Sequence, residues 1–160
     1  MPLNLLSCKG QPVADGHEFF LTLFEDHGRV DEFESTLYGG DSGRGGLFTL
    51  ETVDGVSYLR HNDQYLVVQP EGHDHVPIMF VPDRPTDPAT QALRMCQDPR
   101  FRSIFHLTTW DGSRVVHCEW IKVSYGYFNL AERSGPGTQF QIVLPEEEEP
   151  IMYYCDYARQ

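Results

Sequence analysis

Basic residues are scarce in this sequence: 12 Lys and Arg stand against 24 Asp and Glu, for a formal net charge of −12 with His neutral. Such a field repels nucleic acids and anionic membranes, so neither is an expected partner. It favours a cationic partner surface, although the charge serves solubility equally well. No apolar run approaches the roughly 20 residues of a membrane span, so membrane insertion is not expected either.

Cysteine is also sparse, with widely spaced residues at Cys8, Cys96, Cys118 and Cys155. The absence of a C-x-x-C pair excludes a zinc knuckle and a thioredoxin-like redox motif. An even count permits two disulfides, but this is no disulfide-dense scaffold, and we expect most of the thiols to be free. A chain of 160 residues fits one domain and needs no covalent staple to fold.

The N-terminal residues 1–13 have no basic region and too short an apolar run for a signal peptide. Three interpretations follow: a cytosolic protein, export without a conventional leader, or a missing upstream segment.

Catalytic signatures such as a P-loop, a Rossmann fingerprint or a zinc-hydrolase helix are missing. The GDSG run at residues 40–43 resembles the nucleophile loop of chymotrypsin-like proteases, but only 39 residues precede it, too few for the barrel that supplies the His and Asp. We therefore expect Ser42 to lie in a flexible loop. The H-D-H run at 73–75 could offer two histidine ligands to a metal, but no third ligand other than His61 suggests itself, and we expect a solvated loop. Cys118 is expected to be a buried thiol. We predict no enzyme activity, no metal and no cofactor.

Short runs rich in β-branched and aromatic residues alternate with turn residues, which predicts an all-β domain. One segment, residues 86–96, predicts a helix of one or two turns with Pro88 in its first turn. The glycine-rich residues 39–46 predict a mobile surface loop. The predicted strands are residues 19–24, 47–53, 56–60, 64–69, 76–81, 103–110, 113–123, 125–132, 138–144 and 151–157.

An internal repeat is the most informative feature. FTLETVDG at residues 48–55 and FHLTTWDG at 105–112 both read F-x-L-x-T-x-D-G, an alternating strand that ends in a hairpin-type turn. LNLLSCKG at 3–10 is a looser third copy. A second pair of similar segments is formed by residues 75–83 and 138–146. Each segment ends in two apolar residues followed by Pro and an acidic residue.

Three copies at spacings of 45 and 57 residues, each with about four strands, predict a β-trefoil. The expected domain has twelve strands in three four-stranded lobes, roughly residues 1–46, 47–100 and 101–160. Barrel closure would also remove open sheet edges. The alternative is an ordinary β-sandwich in which the repeat is a chance similarity.

From Phe48 onward, strand order and aromatic spacing resemble those of the interleukin-1 cytokine family; residues 1–46 resemble it only faintly. Fibroblast growth factors share the fold, and residues 134–145 resemble their C-terminal region. Their heparin site needs a basic cluster, however, and the only basic residue here is Arg133, directly before this stretch, so the growth-factor interpretation ranks well behind. The segments that resemble the interleukin-1 family are residues 48–72, 101–120, 125–132 and 139–157.

The resemblance implies a monomeric cytokine, exported without a signal peptide from a cytosolic precursor. Its partners would be an interleukin-1-receptor-type ectodomain of the immunoglobulin kind and an accessory receptor chain, whose assembly it would trigger or block. The turns after the repeat strands would make the receptor contacts. Trp110 would be an apolar anchor or, alternatively, would pack over the barrel mouth. The receptor-binding residues so implied are Asp54, Val56, Trp110 and Asp111.

Two further functions stay open for such a fold. A trefoil protease inhibitor would use a protruding loop, residues 39–46 or 83–99. A carbohydrate-binding module would carry exposed aromatic residues repeated in each lobe. The residue two positions before the closing glycine is Trp110 in one copy, Val53 in another and Cys8 in the third. This mismatch disfavours a sugar site that is repeated in all three lobes.

Overall fold

The computed structural model describes residues 5–24, 28–40, 45–68, 78–122, 125–132 and 138–147. In this part of the chain there are twelve β-strands, one helical turn α1 (Pro88–Gln91) and one 3-10 turn (Pro145–Glu147), which confirms the all-β prediction. The strands are β1 Phe20–Leu23, β2 Arg29–Phe33, β3 Thr36–Gly40, β4 Thr49–Val53, β5 Val56–His61, β6 Gln64–Val68, β7 Ile78–Val81, β8 Leu93–Gln97, β9 Ile104–Thr109, β10 Val115–Lys122, β11 Tyr125–Ala131 and β12 Phe140–Val143.

The strands form two antiparallel sheets. The larger has the order β10-β11-β3-β2-β1-β12-β9-β8, and the smaller has the order β4-β5-β6-β7. Because β10 also pairs with β9, the larger sheet closes into a ring from which β8 branches. A bridge between Phe19 and Phe48 links the two sheets. Closure pairs strand edges that would otherwise be open to other chains.

The three repeat copies end in the same backbone conformation. Gly10, Gly55 and Gly112 have φ of +83°, +81° and +77°, a region that glycine adopts without the steric cost of a Cβ. A hydroxyl lies three residues before each glycine and closes the turn. Its contacts are Ser7 Oγ to the Gln11 N–H (3.0 Å), Thr52 Oγ1 to Ser57 Oγ (3.0 Å), and Thr109 Oγ1 to the Arg114 N–H (3.2 Å).

The apolar positions of the repeat point into one core. Phe48 and Phe105 are fully buried, as is Phe140, whose ring stacks on Phe105 with centroids 5.5 Å apart. Leu5, Leu50 and Leu107 occupy the third motif position and belong to the same cluster. The similarity between the copies is therefore structural; the lobe boundaries stay a prediction.

The segment of residues 86–96 contains one helical turn that starts at Pro88, as predicted, but its second half is not helical. Only Pro88–Gln91 is helical, and Leu93–Gln97 is strand β8, paired with β9. Leu93 and Met95 are buried whereas Arg94 and Cys96 are exposed, a period of two that suits a strand. Strands β2 and β3 were not among the predicted strands.

The glycine-rich segment is only partly a surface loop. Gly39 and Gly40 belong to β3, and the Gly46 N–H donates to the Val30 carbonyl at 3.1 Å. A Cβ on Gly45 would lie 2.5 Å from the same oxygen, so this backbone packs closely on β2. Residues 41–44, including Ser42, lie outside the described residues.

Other predicted features fall outside the described residues as well: the run at 73–75, the strand at 151–157 and Cys155. Cys118 is buried, as predicted, and no disulfide joins the three described cysteines. In the described ranges no cluster of three or more His, Cys, Asp or Glu is arranged to hold a metal. Those ranges also contain no helix of the length and hydropathy that crossing a membrane requires.

Candidate functional site

The four residues predicted at a receptor contact lie on two turns. Asp54 is exposed in the two-residue turn between β4 and β5, and Asp111 is exposed between β9 and β10. Val56 is only 7% exposed, so its side chain contributes to packing and is not available as an anchor. Trp110 is half-buried against the same small apolar cluster as Val56. Val56 and Trp110 are thus brought together in this cluster.

The carboxylate of Asp111 is engaged within its own turn. It accepts hydrogen bonds from the Ser113 N–H (2.9 Å), the Thr109 hydroxyl (2.7 Å) and the Ser113 hydroxyl (2.8 Å). These bonds, that of the Ser113 backbone foremost, lower the pKa of Asp111 to about 2. The side chain therefore stabilises the turn that follows the third repeat copy.

A second constellation lies on the outer side of hairpin β10–β11. Glu119 is directly opposite Tyr127 in the antiparallel register, and His117 is opposite Asn129. The intervening Cys118 and Phe128 are buried, and because strand side chains alternate, these four face outward. Tyr127 is 45% exposed.

These outward side chains form a connected hydrogen-bond network. The Tyr127 hydroxyl donates to Glu119 Oε2 at 3.0 Å, and Asn129 Nδ2 donates to the same oxygen at 2.8 Å. His117 Nδ1 lies 3.4 Å from Asn129 Oδ1. The bond to Glu119 raises the pKa of Tyr127, so its hydroxyl remains a donor at neutral pH. Glu119 Oε1 accepts no hydrogen bond from the described residues.

The aromatic surface continues across the neighbouring strands. Tyr38 of β3 is the direct partner of Tyr127, and residues directly opposite each other share a sheet face. The ring of Phe33 on β2 lies 6.1 Å from that of Tyr38 and is 59% exposed. We name this surface the tyrosine face; it comprises Phe33, Tyr38, His117, Glu119, Tyr127 and Asn129.

The tyrosine face combines exposed rings with groups that both donate and accept hydrogen bonds. Asn129 and His117 supply donors and acceptors, and Glu119 supplies a carboxylate of which one oxygen accepts no hydrogen bond from the described residues. The residues themselves were visible in the sequence only as polar positions alternating with apolar ones. The register between β10 and β11 brings them together, and no local sequence signal specifies it.

Comparisons with known proteins identify the architecture. No protein-family model matches the chain, and no curated protein matches it significantly. Solved structures do match it, among them the ricin B-like lectin of Macrolepiota procera in complex with lactose, with a TM-score of 0.64 and 15% identity over 83% of this chain and 99% of that one.

Two further solved structures are similar. The β-trefoil protein BEL matches with a TM-score of 0.62 and 12% identity over 81% of this chain and 94% of its own. The water-soluble chlorophyll protein of Brassica oleracea var. Botrytis, solved with chlorophyll-b, matches with a TM-score of 0.65 and 12% identity over 89% and 99%. None of these comparisons ties the chain to the interleukin-1 family. Together with the twelve strands of the described residues, they identify the protein as a β-trefoil.

Proposed function

We propose that this protein is a carbohydrate-binding β-trefoil whose sugar site is the tyrosine face. The observation that carries the proposal is the exposed ring of Tyr127 beside the preorganised group of Glu119, Asn129 and His117. The proposal treats the protein as a non-enzymatic binding module.

The chemistry of this surface matches that of a sugar ring. A pyranose has one face of C–H groups, which packs on an exposed aromatic ring, and a rim of hydroxyls that both donate and accept hydrogen bonds. Tyr127 supplies the ring, and its hydroxyl is held in place by Glu119. The second oxygen of Glu119 would accept from one sugar hydroxyl, and the Asn129 amide would bond its neighbour.

Electrostatics restrict the class of sugar. Glu119 places a carboxylate at the centre of the site, and the chain as a whole carries a formal charge of −12. Sialylated or sulfated glycans would meet like charge, so neutral sugars are the expected ligands. The row of Tyr127, Tyr38 and Phe33 offers room for more than one sugar residue.

The comparisons support this proposal at the level of architecture. The lectin of Macrolepiota procera, solved with lactose, has the same fold at 15% identity. A second similar structure, SeviL, is solved with the asialo-GM1 saccharide, at 8% identity and a TM-score of 0.59. These likenesses favour a sugar-binding trefoil over a cytokine. The residues two positions before the closing glycines, Trp110, Val53 and Cys8, disfavour three equivalent sugar sites.

A neutral-glycan array followed by calorimetry on the best ligand tests the proposal. Tyr127→Ala should weaken binding at least about tenfold, the effect of losing roughly 1.4 kcal/mol. Glu119→Gln should weaken it too, because the amide replaces an acceptor by a donor. Phe101→Ala is the matched control, since Phe101 is 45% exposed like Tyr127 but lies outside the face. Equal losses in both aromatic variants, or no glycan bound at all, would refute the assignment.

A second candidate is the interleukin-1-type cytokine, with an interleukin-1-receptor-type ectodomain and an accessory receptor chain as partners and export without a signal peptide. The observation that favours it is the exposure of Asp54 and Asp111 on turns at the ends of two repeat copies. Immobilised receptor ectodomains should then retain the wild-type protein but not Asp54→Ala. Retention that is unchanged in Asp54→Ala and Asp111→Ala, or absent in all forms, counts against the cytokine.

A further inference from the structure

A cleft of about 830 Å³ opens between the N-terminal segment, the β4–β5 hairpin and strand β8. Its floor includes Leu5, Leu50 and Leu93, which belong to the main hydrophobic core. Small-molecule sites typically enclose roughly 300–1,000 Å³, and this cleft, whose lining mixes apolar and polar side chains, lies within that range. The cleft is separate from the tyrosine face, because the two share no lining residue.

Two charged side chains line the cleft, and only one of them is available. Both oxygens of Asp15 are engaged by Thr52: Oδ2 accepts its N–H at 2.7 Å and Oδ1 its hydroxyl at 3.2 Å. Arg94 is exposed and forms no ion pair with a carboxylate of the described residues. Its guanidinium lies over the ring of Trp110, 4.8 Å from the centroid.

The stacking on Trp110 orders the guanidinium without using its N–H donors. A cation held over an aromatic face keeps its planar edge free, and that edge matches the two oxygens of a carboxylate. The cleft thus combines the buried side chains of Leu5, Leu50 and Leu93 with one oriented cation that has no ion-pair partner among the described residues. Trp110, predicted as an anchor for a receptor, here positions Arg94.

We propose that this cleft binds an amphipathic anion, that is, a molecule with an apolar chain or ring system and a single carboxylate. The apolar part would pack on the leucine floor, and the carboxylate would accept hydrogen bonds from Arg94. The net charge of −12 acts against any anion, so a preference for the anionic form has to come from a local cation. This proposal is independent of sugar binding.

Decanoate and decan-1-ol form a matched pair of probes, since they share a chain and differ in the charged head. Calorimetry on the full chain, at a pH where decanoate is ionised, should give decanoate an affinity about tenfold or more above that of the alcohol. Arg94→Gln should remove this preference and keep the affinity for the alcohol. Arg114→Gln, an exposed arginine outside the cleft, should leave both affinities unchanged.

A second variant and a second measurement locate the bound chain. Ala14 is an exposed lining residue, so Ala14→Trp should fill the cleft without unfolding the protein and abolish binding of both probes. Nuclear Overhauser contacts should join the decanoate methylenes to the Trp110 indole. The proposal is overturned if neither probe binds, if both bind equally, if Arg94→Gln retains the preference, or if Ala14→Trp binds like wild type.

Discussion

Phe105 is a position at which the packing of the repeat can be tested quantitatively. Its side chain is fully buried and stacks on Phe140 with ring centroids 5.5 Å apart. Phe105→Ala removes the transfer free energy of the ring and leaves a cavity, at a cost of about 3–5 kcal/mol. This loss is a large part of the roughly 5–15 kcal/mol by which a domain is stable. Because each kcal/mol shifts Tm by roughly 2–4 °C at this size, we expect Tm to fall by roughly 6–20 °C.

Urea denaturation and calorimetry measure this loss, with two companion variants. Phe48→Ala alters the equivalent position of the second repeat copy, also fully buried, and should likewise cost about 3–5 kcal/mol. Phe101→Ala truncates a ring that is 45% exposed and should cost less than about 1 kcal/mol. If Phe105→Ala were as mild as Phe101→Ala, the ring would not lie in the core and the equivalence of the copies would fail.

Three further predictions follow from the turns and the thiols. Gly112→Ala should lower the free energy of unfolding by about 1–2 kcal/mol because φ is +77°, although no atom lies within 4 Å of the new Cβ. Gly45→Ala should cost more, since its Cβ would also meet the Val30 oxygen. Equal costs of the two variants in denaturation would contradict this. The pKa of Asp111 should be about 2 in a carboxyl-carbon NMR titration, lowered from 3.8. The ionised group therefore stabilises the fold fully above pH 3.8, and this stabilisation is lost as the pH falls through about 2. A measured pKa near 3.8 would refute the turn network. Burial, reinforced by Glu147, raises the pKa of Cys8 from 9.0 to about 12. The exposed Cys96 should therefore alkylate before Cys8 in peptide mapping, and comparable rates would be inconsistent with the structure. The stability that the protonated Cys8 thiol contributes is present below pH 9.0 and declines as the pH rises towards about 12.

The fold was predictable because the F-x-L-x-T-x-D-G repeat encodes local physical requirements. Alternating apolar positions reach the core, the hydroxyl closes the turn, and the glycine takes the positive φ. Strands β2 and β3 carry no such signal. β2 holds Arg29, Asp31 and Glu32, and β3 ends in two glycines, so these segments become strands through pairing with each other and with β11.

The candidate sites were less predictable, because they depend on register and burial. The tyrosine face exists only because Glu119 pairs with Tyr127, and an alternating polar position looks the same in any register. The turn that carries Trp110 was predicted. The half-burial of Trp110 against the cluster with Val56 was not, and neither was the stacking of Arg94 on its ring, because both depend on the chain that leads into β8. That segment was predicted as helix, so the contact was not anticipated.

Backbone amide NMR during titration with the tightest neutral glycan tests the sugar-binding claim most directly. If the tyrosine face is the site, the largest chemical-shift changes will occur at His117, Glu119, Tyr127 and Asn129 and will be lost in Tyr127→Ala. If the changes instead concentrate at Thr52, Val56 and Arg94 in the cleft, or at the turn of Asp54, the tyrosine face is not the sugar site.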